Sequence, residues 1–234
     1  MITLGLTLSR EYTGEWTWPI IPTVTDSQTL LDSLNWRYAT KHFDPHRKIP
    51  DSDLHTLLEA MRLAPSSFGL QPWKFIVVTD QDLKTKLMAE SWNQAQVRDC
   101  SHLIVFAARR TVDVHYVDHF IDSVAQQRNV DRHHLQGYRN VMADFVRKTA
   151  HEIGNWAERQ CYLPLAILLQ TAAQMQIDAC PMEGLDPIGY DRLLGLGAEF
   201  FTVCACPVGY RSEHDKYAKM AKVRFSTDEV IEFR

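Results

Sequence analysis

Residues 155–176 read NWAERQCYLPLAILLQTAAQMQ and form the most apolar long segment of the chain. The apolar side chains fall on most sides of an α-helix, and a helix of that kind must be buried on most sides. In a chain of this size, the simplest way to bury such a helix is to pack it against a second copy of the chain. Pro164 removes the hydrogen bond to the carbonyl of Gln160, so we expect a kink there. The segment predicts a central helix packed against a symmetry mate.

Short apolar runs on either side of this helix predict buried strands, because they are bounded by charged or turn-forming residues. These runs are residues 75–78, 103–108 and 200–206. Helix start signals and helical periodicity predict further helices at 25–37, 50–64, 81–91 and 186–194. Residues 229–234 can supply a terminal strand. Helices and strands in this irregular order predict an α+β fold.

Residues 112–152 are polar, rich in histidine and only moderately periodic. They predict two surface helices joined around residues 128–133. His115 and His119 have the spacing of one helical face, and a second histidine pair is adjacent, but a metal site needs about three or four converging ligands. We therefore predict solvated histidines and no metal site.

Composition and charge limit the function classes. The chain has 234 residues, 45% of them hydrophobic and 23% charged, which fits one globular domain with a substantial core. The formal net charge of −4 gives no general basic field that would attract nucleic acid or an anionic membrane. No stretch reaches the roughly 18 uncharged apolar residues that a membrane span needs. We expect no nucleic-acid or membrane partner.

The cysteines and the N-terminal residues indicate a cytoplasmic protein. The five cysteines are an odd number without a C-x-x-C motif, which favours reduced thiols over a disulfide framework. Residues 1–25 lack the basic start and sustained apolar core of a secretory signal. We interpret residues 1–27, which contain Trp16 and Trp18, as an N-terminal extension that lies across the body of the protein or a neighbouring subunit. An unstructured tail is the alternative.

Two basic pairs near opposite ends of the chain have the spacing of an anion site. Arg37 and Lys41 are four positions apart and share one face if the segment is helical, whereas Lys222 and Arg224 share one face if the segment is extended. Together they can neutralise a phosphate, which arginine grips with two donors and lysine holds as a point charge. Solvated surface charges are the alternative interpretation.

Four separated motifs extend this pattern. They are RYATKHFD at 37–44, APSSFGLQPWKF at 64–75, PMEG at 181–184 and KVR at 222–224. Their order and spacing resemble the FMN-dependent, oxygen-insensitive NAD(P)H nitroreductases, and the likeness covers residues 28–226. The resemblance implies a single FMN-binding domain at 28–234, with a mixed, largely antiparallel sheet flanked by helices, an intertwined homodimer, and a substrate lid at about 112–152.

The resemblance also implies a set of cofactor-binding residues. They are Arg37, Ala39, Lys41, Pro65, Ser66, Ser67, Gly69, Asn93, Gln96, Pro181, Met182, Glu183, Gly184, Lys222 and Arg224. Arg37, Lys222 and Arg224 are assigned to the flavin phosphate. Ala39 stands where a phosphate-binding serine is common, which removes one hydroxyl contact worth about 0.5 to 1.5 kcal/mol.

The remaining assignments surround the flavin ring. Lys41 is expected near the pyrimidine edge, and Asn93 and Gln96 at the ring carbonyl and ribityl oxygens. Gln96 stands where some members have lysine, and we interpret this change as tuning of the reduced flavin. Ser66, Ser67 and Gly69 come from the partner chain, and Gly69 stands where asparagine is common. The backbone of residues 183–184 supports flavin N5, and glycine permits a close approach.

No side chain is predicted to act as a catalytic group, because the cofactor performs the chemistry. The chain lacks a G-x-G-x-x-G fingerprint for a separate nicotinamide site and shows no Ser-His-Asp or Cys-His grouping. The sequence therefore predicts a ping-pong oxidoreductase that takes hydride from NADH or NADPH and reduces a nitroaromatic, a quinone or another electron-poor small molecule. The alternatives are reductive dehalogenation, activated-alkene reduction, and flavin binding without turnover.

Overall fold

A computed structural model of the chain describes residues 26–234. The helices within that range are α1 (Ser27–Trp36), α2 (Asp51–Arg62), α3 (Gln81–Ala89), α4 (Gln96–Asp99), α5 (Val114–Arg128), α6 (Gln136–Lys148), α7 (Ile153–Gln174), α8 (Pro187–Leu194) and α9 (Thr227–Val230). The strands are β1 (Trp73–Val78), β2 (His102–Arg109), β3 (Asp178–Ala179) and β4 (Phe200–Gly209). The predicted N-terminal extension lies outside the described residues, apart from Asp26 and Ser27, which begin α1.

The four strands form one sheet in the order β1-β2-β4-β3, and every neighbouring pair is antiparallel. A parallel bridge between Ala39 and Ala179 extends the β3 edge. The helices pack on this sheet, so the predicted α+β fold with a largely antiparallel sheet is confirmed. None of the helices described between residues 26 and 234 is long and apolar enough to span a membrane.

β2 is the centre of the fold because both of its faces are buried. Ile104 and Phe106 belong to the core cluster that contains α2, α5 and α7. Leu103 and Val105 point to the opposite face, into the cluster that contains Tyr190. This alternation follows the two-residue period of a strand. β1 differs from the prediction, because only its last residue is buried.

The chain itself covers most of α7, contrary to the sequence interpretation. Nine of its residues, Pro164 among them, are buried within one chain, where α7 packs on α2, β2 and α1. Leu168 is fully buried. Next to this buried face, exposed apolar side chains remain at Leu163 of α7 (41% exposed) and in a leucine row on α1 in which Leu31 is 52% exposed. The apolar surface left for a partner chain is therefore smaller than the sequence predicted.

Two local possibilities that the sequence allowed do not occur, because tertiary contacts override the local pattern. α1 ends at Trp36, and Arg37 is extended with φ −71° and ψ 141°, so the first basic pair is not on a helix. Alternate positions of an extended segment lie on the same side, so Arg37 and Lys41 can still face one way, although they lie farther apart than on a helix. Residues 227–230 form α9 rather than the start of a strand, since Glu229 accepts hydrogen bonds from the amide and hydroxyl of Ser226.

Residues 112–152, the segment predicted to be a lid and called the lid region below, contain the two predicted surface helices, α5 and α6. Asp118 on α5 binds Arg139 of α6 and Arg132 of the connecting 3₁₀ turn at 2.7 to 2.9 Å, which fixes the two helices to one another. Tyr116 and Tyr138 donate to backbone carbonyls of residues 68–71. The lid region is thus tied to the motif at 64–75.

Candidate functional site

Three cations from opposite ends of the chain meet at the end of α1. Arg37 caps that helix, and the ammonium of Lys222 donates to the backbone carbonyl of Arg37. Burial lowers the pKa of Arg37, and the charge of Arg224 lowers it further. Burial likewise lowers the pKa of Lys222, assisted by Arg37 and Arg224. We call Arg37, Lys222 and Arg224 the cation cluster.

No carboxylate neutralises the cation cluster within residues 26–234. Neither its three members nor the nearby Lys41 forms an ion pair there. Like charges held together repel one another, so a bound anion relieves the repulsion as well as accepting hydrogen bonds. The cluster has the chemistry of a phosphate site.

A chain of polar contacts leads from Lys41 to the loop at 181–184. The Lys41 ammonium lies 3.5 Å from Sγ of Cys180. Burial raises the pKa of the Cys180 thiol, and Lys41 opposes that rise. On the other side, buried Gln96 donates to the side-chain oxygen of Gln94 at 2.9 Å, and Gln94 donates to the carbonyl of Gly184 at 2.9 Å. The structure thus brings predicted site residues into one continuous region.

The loop at 181–184 is fixed on two sides and keeps two amides free. Met182 pairs with Ala205 of β4 through both backbone groups, at 2.8 and 3.0 Å. The hydroxyl of Tyr162 donates to the Glu183 carboxylate at 2.7 Å. Burial raises the pKa of Tyr162, and Glu183 raises it further. The amides of Glu183 and Gly184 donate to no acceptor in the described part of the chain, so they are available to a ligand.

Packing around Gly184 leaves little room for a larger side chain. A Cβ at this position would lie 2.9 Å from the Trp92 ring and 3.1 Å from Nε2 of Gln94. Trp92 and Asn93 both have left-handed backbone, with φ of 54° and 55°. Trp92 is 75% exposed despite this contact, and Asn93 is exposed as well. The strained turn thus presents the Trp92 ring beside the loop and leaves Asn93 exposed.

A cavity of about 330 Å³ lies against this loop. It is lined by Tyr162, Leu165, Pro181, Met182, Glu183 and Cys204. Its size and mixed lining suit a small organic ligand. Another cavity, of about 380 Å³, is lined by Trp36, Arg47 and Arg211 among others, but it contains none of the predicted site residues. Arg211 is already paired there with Asp178 at 2.6 Å. The cavity beside the 181–184 loop is therefore the better candidate for the ligand site.

The turn at 65–69 occupies a different place from the cation cluster. The amide of Ser67 donates to Oε1 of Gln160 on α7 at 2.9 Å, and Ser66 accepts from the amide of Gln71. Gly69 has a left-handed φ of 74°, and a Cβ there would lie 3.2 Å from the Phe120 ring of the lid region. No contact described within one chain joins this turn to the cation cluster. Its assignment to a partner's site stays a prediction.

Sequence reasoning missed several residues that shape the site. Asp215 accepts hydrogen bonds beside Lys41, Tyr162 holds Glu183, and Gln94 joins Gln96 to Gly184. Only Gln94 carries a local signal, because it stands two positions from Gln96. Within residues 26–234 no cluster of three or more His, Cys, Asp or Glu side chains could hold a metal ion. All five cysteines are free and buried.

Comparisons with known proteins show the family of the chain. Residues 34–210 match the sequence model described as "Nitroreductase family". A Staphylococcus haemolyticus protein named "Putative NAD(P)H nitroreductase" is 36% identical over 219 residues, which cover 88% of this chain and 97% of that protein.

Two crystal structures are similar in fold. One is described as a "putative nitroreductase" from Bacillus subtilis, with a TM-score of 0.80, 21% identity, and coverage of 89% of this chain and 100% of that one. The other, from Exiguobacterium sibiricum, is described as a "putative nitroreductase in complex with FMN", with a TM-score of 0.70, 20% identity, and coverage of 91% and 99%. The length of the sequence match and the identity to the relative establish the relationship: the chain belongs to the nitroreductase family.

Proposed function

We propose that the protein is an FMN-dependent oxidoreductase that takes hydride from NADH or NADPH and reduces a nitroaromatic, a quinone or a similar electron-poor small molecule by a ping-pong mechanism. The observation that carries this proposal is the cation cluster, which lacks a carboxylate partner in the described chain. Lys41, four positions after Arg37, contacts Cys180 next to the loop at 181–184. When bound, FMN supplies the hydride chemistry through N5 of its ring.

The cation cluster fits the phosphate of FMN. Arg37 and Arg224 each carry a planar fork of donors, and Lys222 adds a point charge that its bond to the Arg37 carbonyl directs. A phosphate monoester carries about −1.5 to −2 charges at neutral pH. Three cations therefore balance it and satisfy several of its oxygens.

The region around the 181–184 loop fits the ring of the cofactor. The free amides of Glu183 and Gly184 can donate to a ring nitrogen, since Tyr162 and β4 already hold the loop in place. Buried Gln96 offers a neutral amide where some family members have a cation. A neutral donor stabilises a reduced, anionic ring less than a cation does, so reduction of the flavin is less favourable in this site.

The active form in this proposal is a homodimer in the cytoplasm. The turn at 65–69 contacts Gln160 rather than the cation cluster of its own chain, and the uncovered leucines of α1 and Leu163 offer a surface to a partner. Each site would then combine the cation cluster of one chain with the turn of the other. Five free cysteines suit a reducing compartment.

An anaerobic titration tests the proposal. The purified protein loaded with FMN is mixed with NADH or NADPH in the absence of oxygen, and the visible absorption band of oxidised flavin is followed. We expect the band to bleach and to recover when a nitroaromatic or a quinone is added. A band that persists indicates flavin binding without turnover. Recovery only with a halogenated aromatic or an activated alkene indicates the dehalogenase or alkene-reductase alternative.

A further inference from the structure

We propose that Asp215 is a positioning residue that joins the two halves of the phosphate site and gives the protein its preference for FMN over flavin without a phosphate. This inference rests on the proposed function, because FMN is taken as the ligand. Asp215 is 1% exposed, although it is a carboxylate on a loop after the last strand. Buried carboxylates of this kind need several donors.

The first oxygen of Asp215 holds the segment that carries Arg37 and Lys41. Oδ2 accepts from the amide of Lys41 at 2.8 Å, the amide of His42 at 3.1 Å and the hydroxyl of Tyr38 at 3.1 Å. These donors are more than 170 positions away in the sequence. Three donors on one oxygen fix the direction in which the extended segment runs past the cation cluster.

The second oxygen holds the segment that leads to Lys222 and Arg224. Oδ1 accepts from the amide of Tyr217 at 3.0 Å and begins the 3₁₀ turn Lys216–Lys219, after which the chain reaches the two cations. The amide of Ser212 also donates to the carbonyl of His42 at 2.8 Å. One carboxylate therefore sets the separation of the two segments.

Asp215 does this without competing for the ligand. All four of its partners are uncharged donors, and it forms no ion pair with Arg37, Lys41, Lys222 or Arg224. Burial alone raises the pKa of Asp215, but the amides of Lys41, His42 and Tyr217 outweigh that effect, and the pKa lies below its ordinary value. The carboxylate stays ionised while the cations remain free for a phosphate.

The test compares FMN with riboflavin, which has the same ring but no phosphate. Asp215→Asn keeps the shape of the side chain but places an amide NH₂ against N–H donors, so the segment at 38–42 or the turn at 216–219 must shift. We expect the affinity for FMN to fall about tenfold, which is the effect of displacing one charge-assisted contact. The affinity for riboflavin is expected to fall by a smaller factor, because Lys41, predicted to lie at the flavin ring, moves with the same segment while the phosphate contacts are absent. Both affinities are measured by quenching of flavin fluorescence.

Asp191→Asn is the matched control. Its carboxylate also accepts from an amide, that of Thr202 at 2.7 Å, and pairs with Arg110 at 2.6 Å, but it lies at the opposite end of β4. This variant is expected to keep the ratio of the two affinities. An equal loss of both ligands in Asp215→Asn, or no loss, overturns the inference. A wild-type protein with no preference for FMN overturns the proposed phosphate site itself.

Tyr38→Phe covers the case in which Asp215→Asn does not fold. It removes one donor to Oδ2 and leaves the carboxylate in place. The preference for FMN over riboflavin is then expected to fall by a smaller factor, about threefold, the size of one neutral hydrogen bond. An unchanged preference in a folded Tyr38→Phe protein counts against the inference.

Discussion

The ammonium of Lys222 donates to the backbone carbonyl of Arg37, a residue 185 positions earlier in the chain. The bond satisfies a carbonyl next to the end of α1 and places the second basic motif against the first. It also directs the Lys222 side chain toward the place where Arg37 and Arg224 repel one another. The cation cluster is therefore a product of the tertiary fold rather than of either motif alone.

Arg224→Ala is expected to weaken FMN binding about ten- to a hundredfold. The substitution removes a charge-assisted contact to phosphate, for which about 1.5 to 3 kcal/mol is typical. The dissociation constant is measured by titration of apoprotein with FMN. Arg234→Ala is the control, because Arg234 is exposed and pairs with Glu232 at 2.9 Å. An unchanged affinity in Arg224→Ala removes this residue from the site.

Gly184→Ala is expected to displace the loop at 181–184 and to slow flavin reduction by NADH or NADPH. The added Cβ would lie 2.9 Å from the Trp92 ring, closer than side chains tolerate. Trp92→Gly removes the ring and suits the left-handed backbone there, so the same alanine should cost less in that background. Stopped-flow reduction and thermal unfolding measure both effects.

Gly137→Ala is the control for the comparison of Gly184→Ala with and without the Trp92 ring. Nothing lies within 4 Å of a Cβ at Gly137 on α6, so alanine is expected to be neutral or to stabilise the fold by about 0.5 to 1 kcal/mol. Equal costs of Gly184→Ala with and without Trp92 contradict the proposed contact.

Leu163→Asp is expected to break the dimer and to release FMN in the same step. Leu163 is 41% exposed on α7, whereas Leu168 is fully buried, so aspartate at position 168 should unfold the chain instead. Size exclusion with flavin absorbance recorded across the peaks separates these outcomes. Ile188→Asp, at a position that is 78% exposed on α8, should leave the dimer intact. A Leu163→Asp monomer that retains stoichiometric FMN argues against a shared site.

Asp118→Asn is expected to destabilise the lid region in a pH-dependent way. The hydrogen bond from Arg139, with help from Arg132, lowers the pKa of Asp118 to about 2 from an ordinary value of 3.8. The stabilisation is therefore present above pH 3.8 and is lost as the pH falls toward 2. Urea unfolding should show a constant deficit for the variant at neutral pH that shrinks across this window. A deficit that is independent of pH points to a packing effect.

Local sequence patterns predicted the helices and strands whose formation depends mainly on their own residues. The helical spacing of Leu57 and Met61 predicted α2, and the apolar run at 103–108 predicted β2. Apolar side chains at these spacings are needed to bury one face of a helix or both faces of a strand, whatever fold surrounds them. The motifs at 37–44 and 222–224 contain the three members of the cation cluster, and the motif at 181–184 marks the loop that Gln94 joins to Gln96.

Other features depend on contacts between distant residues and carry no local signal. Arg37 is extended because Ala39 pairs with Ala179 and Asp215 binds the following amides, not because of its neighbours in sequence. The burial of Leu168 depends on which helices and strands α7 meets. The contact between Trp92 and Gly184 needs two turns to come together. Tertiary contacts decide such cases over local preference.

The distance in sequence between the two halves of the cation cluster bears on how the protein is made. Lys222 and Arg224 follow all four of the described strands, so a chain still growing on the ribosome has Arg37 in place long before its counterparts exist. The complete set of cations is present only once residue 224 has been synthesised. A product that terminates between β4 and residue 222 therefore carries all four described strands but lacks two of the three cluster cations.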